Sequence, residues 1–202
     1  MYHPRSIFIN AEGKKGDDRF IESLWMLKDI RIAYNLPIIY LDCDCVIMQE
    51  INVFNEYDFD AGVVYRYEWD KDGGSQACLG GFLFLSGRRK DKELQFLDNL
   101  IKRTEDFYRW EKEFRKPWWY DQMAVNALVG KPSRERRKEH YYYALPYEPC
   151  PKDVDGIRVM FFSANEWACA RAYYTPSKVK IIHYNHTIWL ETEIRVSKRK
   201  FA

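Results

Sequence analysis

The chain has 202 residues, with 32 Lys and Arg against 30 Asp and Glu, a formal charge of +2; 47% of it is hydrophobic and 31% charged. At roughly 100–200 residues per domain this is one domain. The apolar fraction excludes a disordered chain, and the near balance of charge excludes a general polyanion binder while leaving local basic clusters open. No apolar run approaches the ~18–20 residues of a membrane span, and no stretch of signal-peptide type follows Met1. Five cysteines, an odd number, point to reduced thiols and a cytoplasmic setting. Aromatic residues make up 17%, a richness shared by tightly packed cores and by surfaces that stack sugars or bases.

In chain order, Ser6–Asn10 reads as a short strand, followed by a polar turn through Gly13 and Gly16. Asp17 or Asp18 caps a helix expected to run to about Asn35, with Phe20, Leu24 and Leu27 beside Ile21 and Trp25 at helical spacing. Pro37 stops it. Ile38–Leu41 is an apolar run of buried-strand type that ends in Asp42-Cys43-Asp44. Further strands are expected at Phe59–Tyr67 and, after Gly80-Gly81, at Phe82–Ser86. Helices are expected from Asp91 to about Trp110 and over Trp119–Val129, the second opened after Pro117 and closed at Gly130. Lys131–Lys138 is a basic loop; Tyr141–Leu145, Ile157–Phe162 and Val179–His183 are late strands, and 196–202 is a flexible basic tail. Helices alternating with strands early and short strands late indicate an α/β domain over 1–202, with a mixed sheet flanked by helices.

Asp42 and Asp44 stand two apart. On a continuous strand they share a face, with Cys43 on the other. Two carboxylates on one face repel unless a cation lies between them, and a hard divalent cation with oxygen ligands suits that place. Such an ion, if it also holds a diphosphate, neutralises a leaving group. An Asp-rich turn is the plainer meaning of a bare D-x-D. The apolar strand before it favours the functional meaning, because open α/β sheets bind ligands at the carboxyl ends of their strands. Phosphate-loop, dinucleotide and nucleophile-elbow motifs are absent from the sequence.

The run Ile39-Tyr40-Leu41-Asp42-Cys43-Asp44-Cys45-Val46-Ile47, followed by Ile51-Asn52-Val53-Phe54, resembles the D-x-D segment of nucleotide-sugar glycosyltransferases of the GT-A fold. The glycogenin and lipopolysaccharide-galactosyltransferase type is the nearest. Tyr57–Val63, Ala77–Phe84, Trp119–Asn126 and Ile181–Asn185 resemble, in family order, the next strand, a small-residue strand entry, an Asp-Gln helix start and a late strand ending in a metal-binding His. The resemblance spans about Lys28 to Trp189. It implies a GT-A-like (nucleotide-diphospho-sugar transferase) fold, reduced at the N-terminus: either Ser6–Asn10 is a reduced first strand or the nucleotide-base site is incomplete. It further implies Mn²⁺ or Mg²⁺ as cofactor and a UDP-sugar as donor.

Residue by residue, the resemblance implies that Asp42, Asp44 and His183 bind the metal and that Asp42 also binds the nucleotide ribose. Asp121 and Gln122 would be the catalytic pair, facing the donor sugar or the reacting carbon; Gly80 and Gly81 would let backbone approach the sugar. Lys28 and Arg31 would contact the donor or its phosphates. The residues also admit plainer readings. His186 competes with His183, Gly80-Gly81 also reads as a bulge, Asp121 suits any helix N-terminus, and Lys28 and Arg31 suit a solvated helix face. Cys78 stands where the family often has Asn, and Thr187-Ile188-Trp189 follows His183 in place of the family's Gly-x-x-Lys-Pro-Trp.

The expected activity is transfer of a sugar from a nucleoside diphosphate, with UDP foremost, to a hydroxyl on a glycan, a protein or a modified nucleobase. Five of the eight residues of Lys131–Lys138 are Lys or Arg, and His140 to Tyr143 follow, so a nucleic-acid acceptor is admitted. The second hypothesis is a catalytically degenerate GT-A-like binding module for a glycan or nucleic acid.

Overall fold

Two apolar runs, Ala-Gly-Val-Val-Tyr and Cys-Leu-Gly-Gly-Phe-Leu-Phe-Leu, form the centre of the sheet as β3 (Ala61–Tyr65) and β4 (Cys78–Leu85), and every residue of both is buried. Near-continuous apolar sequence is what a strand covered on both faces requires. The computed structural model describes residues 19–42, 45–66, 77–114, 120–132, 148–168 and 179–183. The expected strands Ser6–Asn10 and Tyr141–Leu145, the basic loop beyond Pro132, the 196–202 tail, Cys43, Asp44 and His186 lie outside them.

The five-stranded sheet has the order β1-β4-β3-β6-β5, with β1 at Ile38–Leu41, β5 at Cys150–Val154 and β6 at Ile157–Ser163. β4 is antiparallel to both β1 and β3, β3 is parallel to β6, and β5 is antiparallel to β6. Strands β1, β3 and β6 therefore share one direction, and β4 and β5 run against them. A separate antiparallel pair joins β2 (Cys45–Ile47) to β7 (Ile181–His183). This is an α/β fold with a mixed sheet flanked by helices.

Helices α1 (Arg19–Ala33), α3 (Lys90–Phe114) and α4 (Tyr120–Val129) cover one face. Leu24, Leu27, Phe96, Leu97, Leu100, Ala124 and Val125 there meet Val63, Tyr65, Leu83 and Leu85. On the other face Val53, of the short α2 (Val53–Glu56), and Trp167, of α5 (Ala164–Trp167), pack with Phe59, Phe82, Phe84, Phe162 and Ile181. Ring contacts of Phe20 with Tyr40 and with Tyr120 tie α1 to β1 and α4.

Several local readings change. In α1 the buried row is Leu24, Leu27 and Arg31, whereas Trp25 is 45% exposed, with the Lys28 ammonium 5.1 Å from its ring. The D-x-D strand is not continuous: β1 ends at Leu41, and a turn in which Cys45 N donates to Asp42 O (3.2 Å) starts β2 in a different sheet. β5 is a strand that the sequence reading lacked; Pro151 lies in it, as an edge position tolerates. Asp155 and Gly156 (φ 53° and 76°) form the tight turn from β5 to β6, the Asp-Gly pair that two-residue hairpins favour.

One buried ion pair orders the helical layer. Arg31 and Glu93 side chains are both fully buried, with Arg31 Nε 3.2 Å from Glu93 Oε2. Arg31 also donates to Leu36 O (2.8 Å), and Glu93 Oε1 accepts from Ser86 Oγ (3.1 Å) and Gly87 N (2.8 Å). These bonds join α1, the entry to β1, the end of β4 and the start of α3. Burial pushes the Glu93 carboxyl above the ordinary glutamate range, opposed by Arg31 and the donors at Ser86 and Gly87. An acid whose pKa is raised on folding makes stability fall as pH rises from the unfolded value toward the folded one. Arg31→Met deprives Glu93 of its counter-charge and should cost about 3–5 kcal/mol at pH 8. The loss should be smaller at pH 5, where a protonated Glu93 needs no cation; urea unfolding at the two pH values checks this, and equal losses would exonerate Glu93.

Candidate functional site

β1 delivers Asp42 to the carboxyl edge of the strands that run parallel, where α/β sheets place their ligands. Asp42 N donates to Gly81 O (3.0 Å), which continues the β1–β4 pairing past Leu41↔Phe82. On its other side β4 breaks register with β3, from Val63↔Leu83 to Val64↔Leu79, so Gly80, Gly81 and Phe82 have no partner on β3. Gly80-Gly81 is thus a bulge, the plainer of its two sequence readings.

The bulge has a chemical consequence. A Cβ on Gly81 would overlap the Asp42 carboxyl, and a Cβ on Gly80 would overlap the Asp121 side chain. The missing side chains make room for two protein carboxylates, one from the end of β1 and one from the first turn of α4.

The pairing Cys45↔His183 brings the end of β7 to the same place. His183 Nε2 lies 3.9 Å from Asp42 Oδ2, and its ring stands edge-on to Phe82 at 5.1 Å. The His183 side chain is 14% exposed and that of Asp42 43%, so the pair opens to solvent from the carboxylate side. Among the described residues no three His, Cys, Asp or Glu side chains are grouped as a metal site; Asp42 and His183 are a pair, and Asp44 lies outside those residues.

Asp121 and Gln122 sit at the start of α4. Burial raises the Asp121 carboxyl above the ordinary aspartate range, against backbone N–H donors of Gln122 and of Asp121 itself and the charge of Arg66. Gln122 Oε1 accepts from Arg66 Nη2 at 2.6 Å. Asn126 joins α4 to β4: its Nδ2 donates to Gln122 O (2.8 Å) and its Oδ1 accepts from Cys78 N (3.3 Å). Cys78 itself is fully buried, and its thiol is pushed well up by desolvation, which disfavours a thiolate nucleophile there.

The structure brings Asp42 to Gly81 and His183, and Asp121 to Gly80, with Gln122 the next residue of α4. It does not bring Lys28 and Arg31 to them. Lys28 pairs with Asp98 (2.5 Å) on α3, and Arg31 is committed to Glu93 inside the α1–α3 seam. The expectation that these two cations meet a donor is therefore corrected: neither a solvated face nor a phosphate site holds Arg31, because packing against α3 buries it. Arg66 and Asn126 were not singled out in the sequence. Arg66 directly follows an apolar strand run, the same signal that marked Asp42.

An open cleft of about 620 Å³ lies at the opposite edge of the sheet, lined by Asp58, Arg89, Lys152, Asp153, Gly156 and Arg158. Its cations are already engaged. Arg89 grips the buried Asp60 with two bonds of 2.6 Å, Arg158 pairs with Asp58 at 2.5 Å, and Lys152 donates to Val129 O and Lys131 O. This edge is an ion-pair network that secures the strand starts. No helix among the described residues is long and apolar enough to cross a membrane.

Comparison of the chain with protein-family models, with curated proteins and with solved structures finds no match.

The two glycines should differ when substituted. At Gly81 the displaced atoms are the far end of the Asp42 side chain, so Gly81→Ala should keep the fold and turn that carboxyl away from His183. At Gly80 the new methyl would come within 2.8 Å of Asp121 Cβ, so α4 itself must shift. Gly80→Ala should therefore cost about 1–3 kcal/mol, and more than Gly81→Ala, as denaturant midpoints would measure. The reverse order would contradict the packing described.

Proposed function

We propose that the chain is a metal-dependent glycosyltransferase of GT-A type, moving a sugar from a nucleoside diphosphate, UDP first among them, to a hydroxyl acceptor. The observation that carries this reading is that Asp42, 3.9 Å from His183, and Asp121 sit against the consecutive glycines Gly81 and Gly80 at the carboxyl edge of the parallel strands. Each carboxylate takes room that a side chain on β4 would otherwise fill.

The donors fit a divalent cation. Two ligands of one small hard cation at roughly 2.1 Å each stand at most about 4.2 Å apart, and Asp42 Oδ2 and His183 Nε2 meet that bound at 3.9 Å. Asp42 and His183, with Asp44 two residues further on in the sequence, would hold Mn²⁺ or Mg²⁺. When bound, such an ion supplies Lewis-acid neutralisation of the departing diphosphate. Asp121, whose carboxyl burial raises above the ordinary aspartate range, suits a group that accepts a proton or hydrogen bond from a hydroxyl. Gln122 beside it offers a carboxamide for orientation.

UDP release from a panel of UDP-sugars with Mn²⁺, in wild type and in Asp42→Asn, Asp44→Asn and His183→Ala, tests the reading. One donor should be hydrolysed slowly, and release should fall about 100-fold in the Asp variants, the scale on which loss of one charge-stabilising group acts. Chelator should abolish it while circular dichroism stays unchanged. Full release from a folded Asp42→Asn protein would refute the assignment. UDP binding by calorimetry with no release from any donor would assign a binding module in place of an enzyme.

A further inference from the structure

Arg66 is the residue immediately after β3, so it leaves the sheet at the edge where Asp42 does. Its Nη2 donates to Gln122 Oε1 at 2.6 Å. A guanidinium has donors and no acceptor, so only the oxygen of the Gln122 carboxamide can face it. The –NH₂ of Gln122 is thereby turned the other way, and among the described residues it makes no hydrogen bond. The main chain of Gln122 is held separately, through its carbonyl to Asn126. Both ends of Gln122 are thus fixed, with one donor group left for a ligand.

The neighbouring side chain is the Asp121 carboxyl, an acceptor when ionised, seated on Gly80. A donor and an acceptor on consecutive residues of one helical turn match a sugar, whose several hydroxyls each accept one hydrogen bond and donate another. They match a phosphate poorly, because the carboxylate would repel it. We propose that Arg66 is a positioning residue that fixes the polarity of Gln122, so that Gln122 meets the donor sugar as a hydrogen-bond donor beside the accepting Asp121. The proposal rests on the glycosyltransferase reading and adds to it which face of Gln122 works and what holds it. With its oxygen drawn to a cation, Gln122 acts by orientation and not as a nucleophile.

The substitution Gln122→Glu tests this directly. A carboxylate there keeps the Arg66 contact, so the thermal midpoint should equal or exceed that of wild type, yet the ligand loses its donor. KM for the UDP-sugar should rise about tenfold or more, the scale of one hydrogen bond to a ligand, while UDP affinity by calorimetry stays within about twofold. Arg66→Met should raise the same KM, because the carboxamide is then free to turn, and Arg66→Lys should restore most of the loss by returning a donor to the oxygen. If Arg66→Met fails to fold, the Gln122→Glu measurement decides alone. An unchanged KM in Gln122→Glu overturns the proposal, and so does a parallel loss of UDP affinity, which would put Gln122 on the nucleotide. If wild type neither binds UDP nor releases it from any UDP-sugar, the glycosyltransferase reading has failed, and the proposal falls with it.

Discussion

The candidate site depends on β4 having no side chain where it passes between β1 and α4. β4 is buried along its whole length, so any residue larger than glycine would fill the space at Gly80 and Gly81. Glycine in a strand normally weakens it, because it packs nothing and orders at greater entropic cost. Here two consecutive glycines coincide with a register break, and the room they leave is taken by the carboxyls of Asp42 and Asp121. Acidic groups from two elements far apart in the chain are admitted against neighbouring residues of β4 by the omission of two methyl groups.

Two carboxylates seated against one strand need a rigid frame. The frame is built from charge as much as from apolar packing. Arg31 and Glu93, both fully buried, lock the end of α1 to the start of α3 and to the turn after β4. At the far edge Asp60, also fully buried, takes two bonds from Arg89 and one from Arg158 N, and so fixes where β3 and β6 begin. Buried ion pairs add little net stability over apolar packing, but breaking one is costly. With both strand starts tied, the carboxyl ends of β1 and β3 present Asp42 and Arg66 at the same edge.

The two edges of the sheet divide the labour. At the amino edge the cations are spent on fixed carboxylates and carbonyls, although the surface there is concave. At the carboxyl edge stand an acid whose pKa burial raises, an imidazole beside a second acid, and a carboxamide whose orientation a guanidinium dictates. Concavity alone points to the amino edge. The chemical groups, together with the direction of the strands, point to the other.

The sequence by itself determined the elements whose pattern is local. The apolar run before Asp42, the helical spacing of Leu24 and Leu27, the long amphipathic α3 and the stop at Gly130 could all be read before any contact was known, because backbone periodicity acts over a few residues. Asp42, Asp121, Gln122 and His183 were legible as residues at strand and helix ends. Asp155-Gly156 carries a hairpin signal that the sequence reading did not use, and the strand it would have exposed, β5, holds Pro151. Only the tertiary structure decided that Arg31 is an internal counter-ion and not a surface cation, that Trp25 faces outward, that β1 and β2 belong to different sheets, and that Arg66 holds Gln122. The reason is physical. A side chain's burial and its charge partner depend on which elements face each other, and Arg31 is 62 positions from Glu93 and Arg66 56 from Gln122. No local pattern encodes a separation of that length.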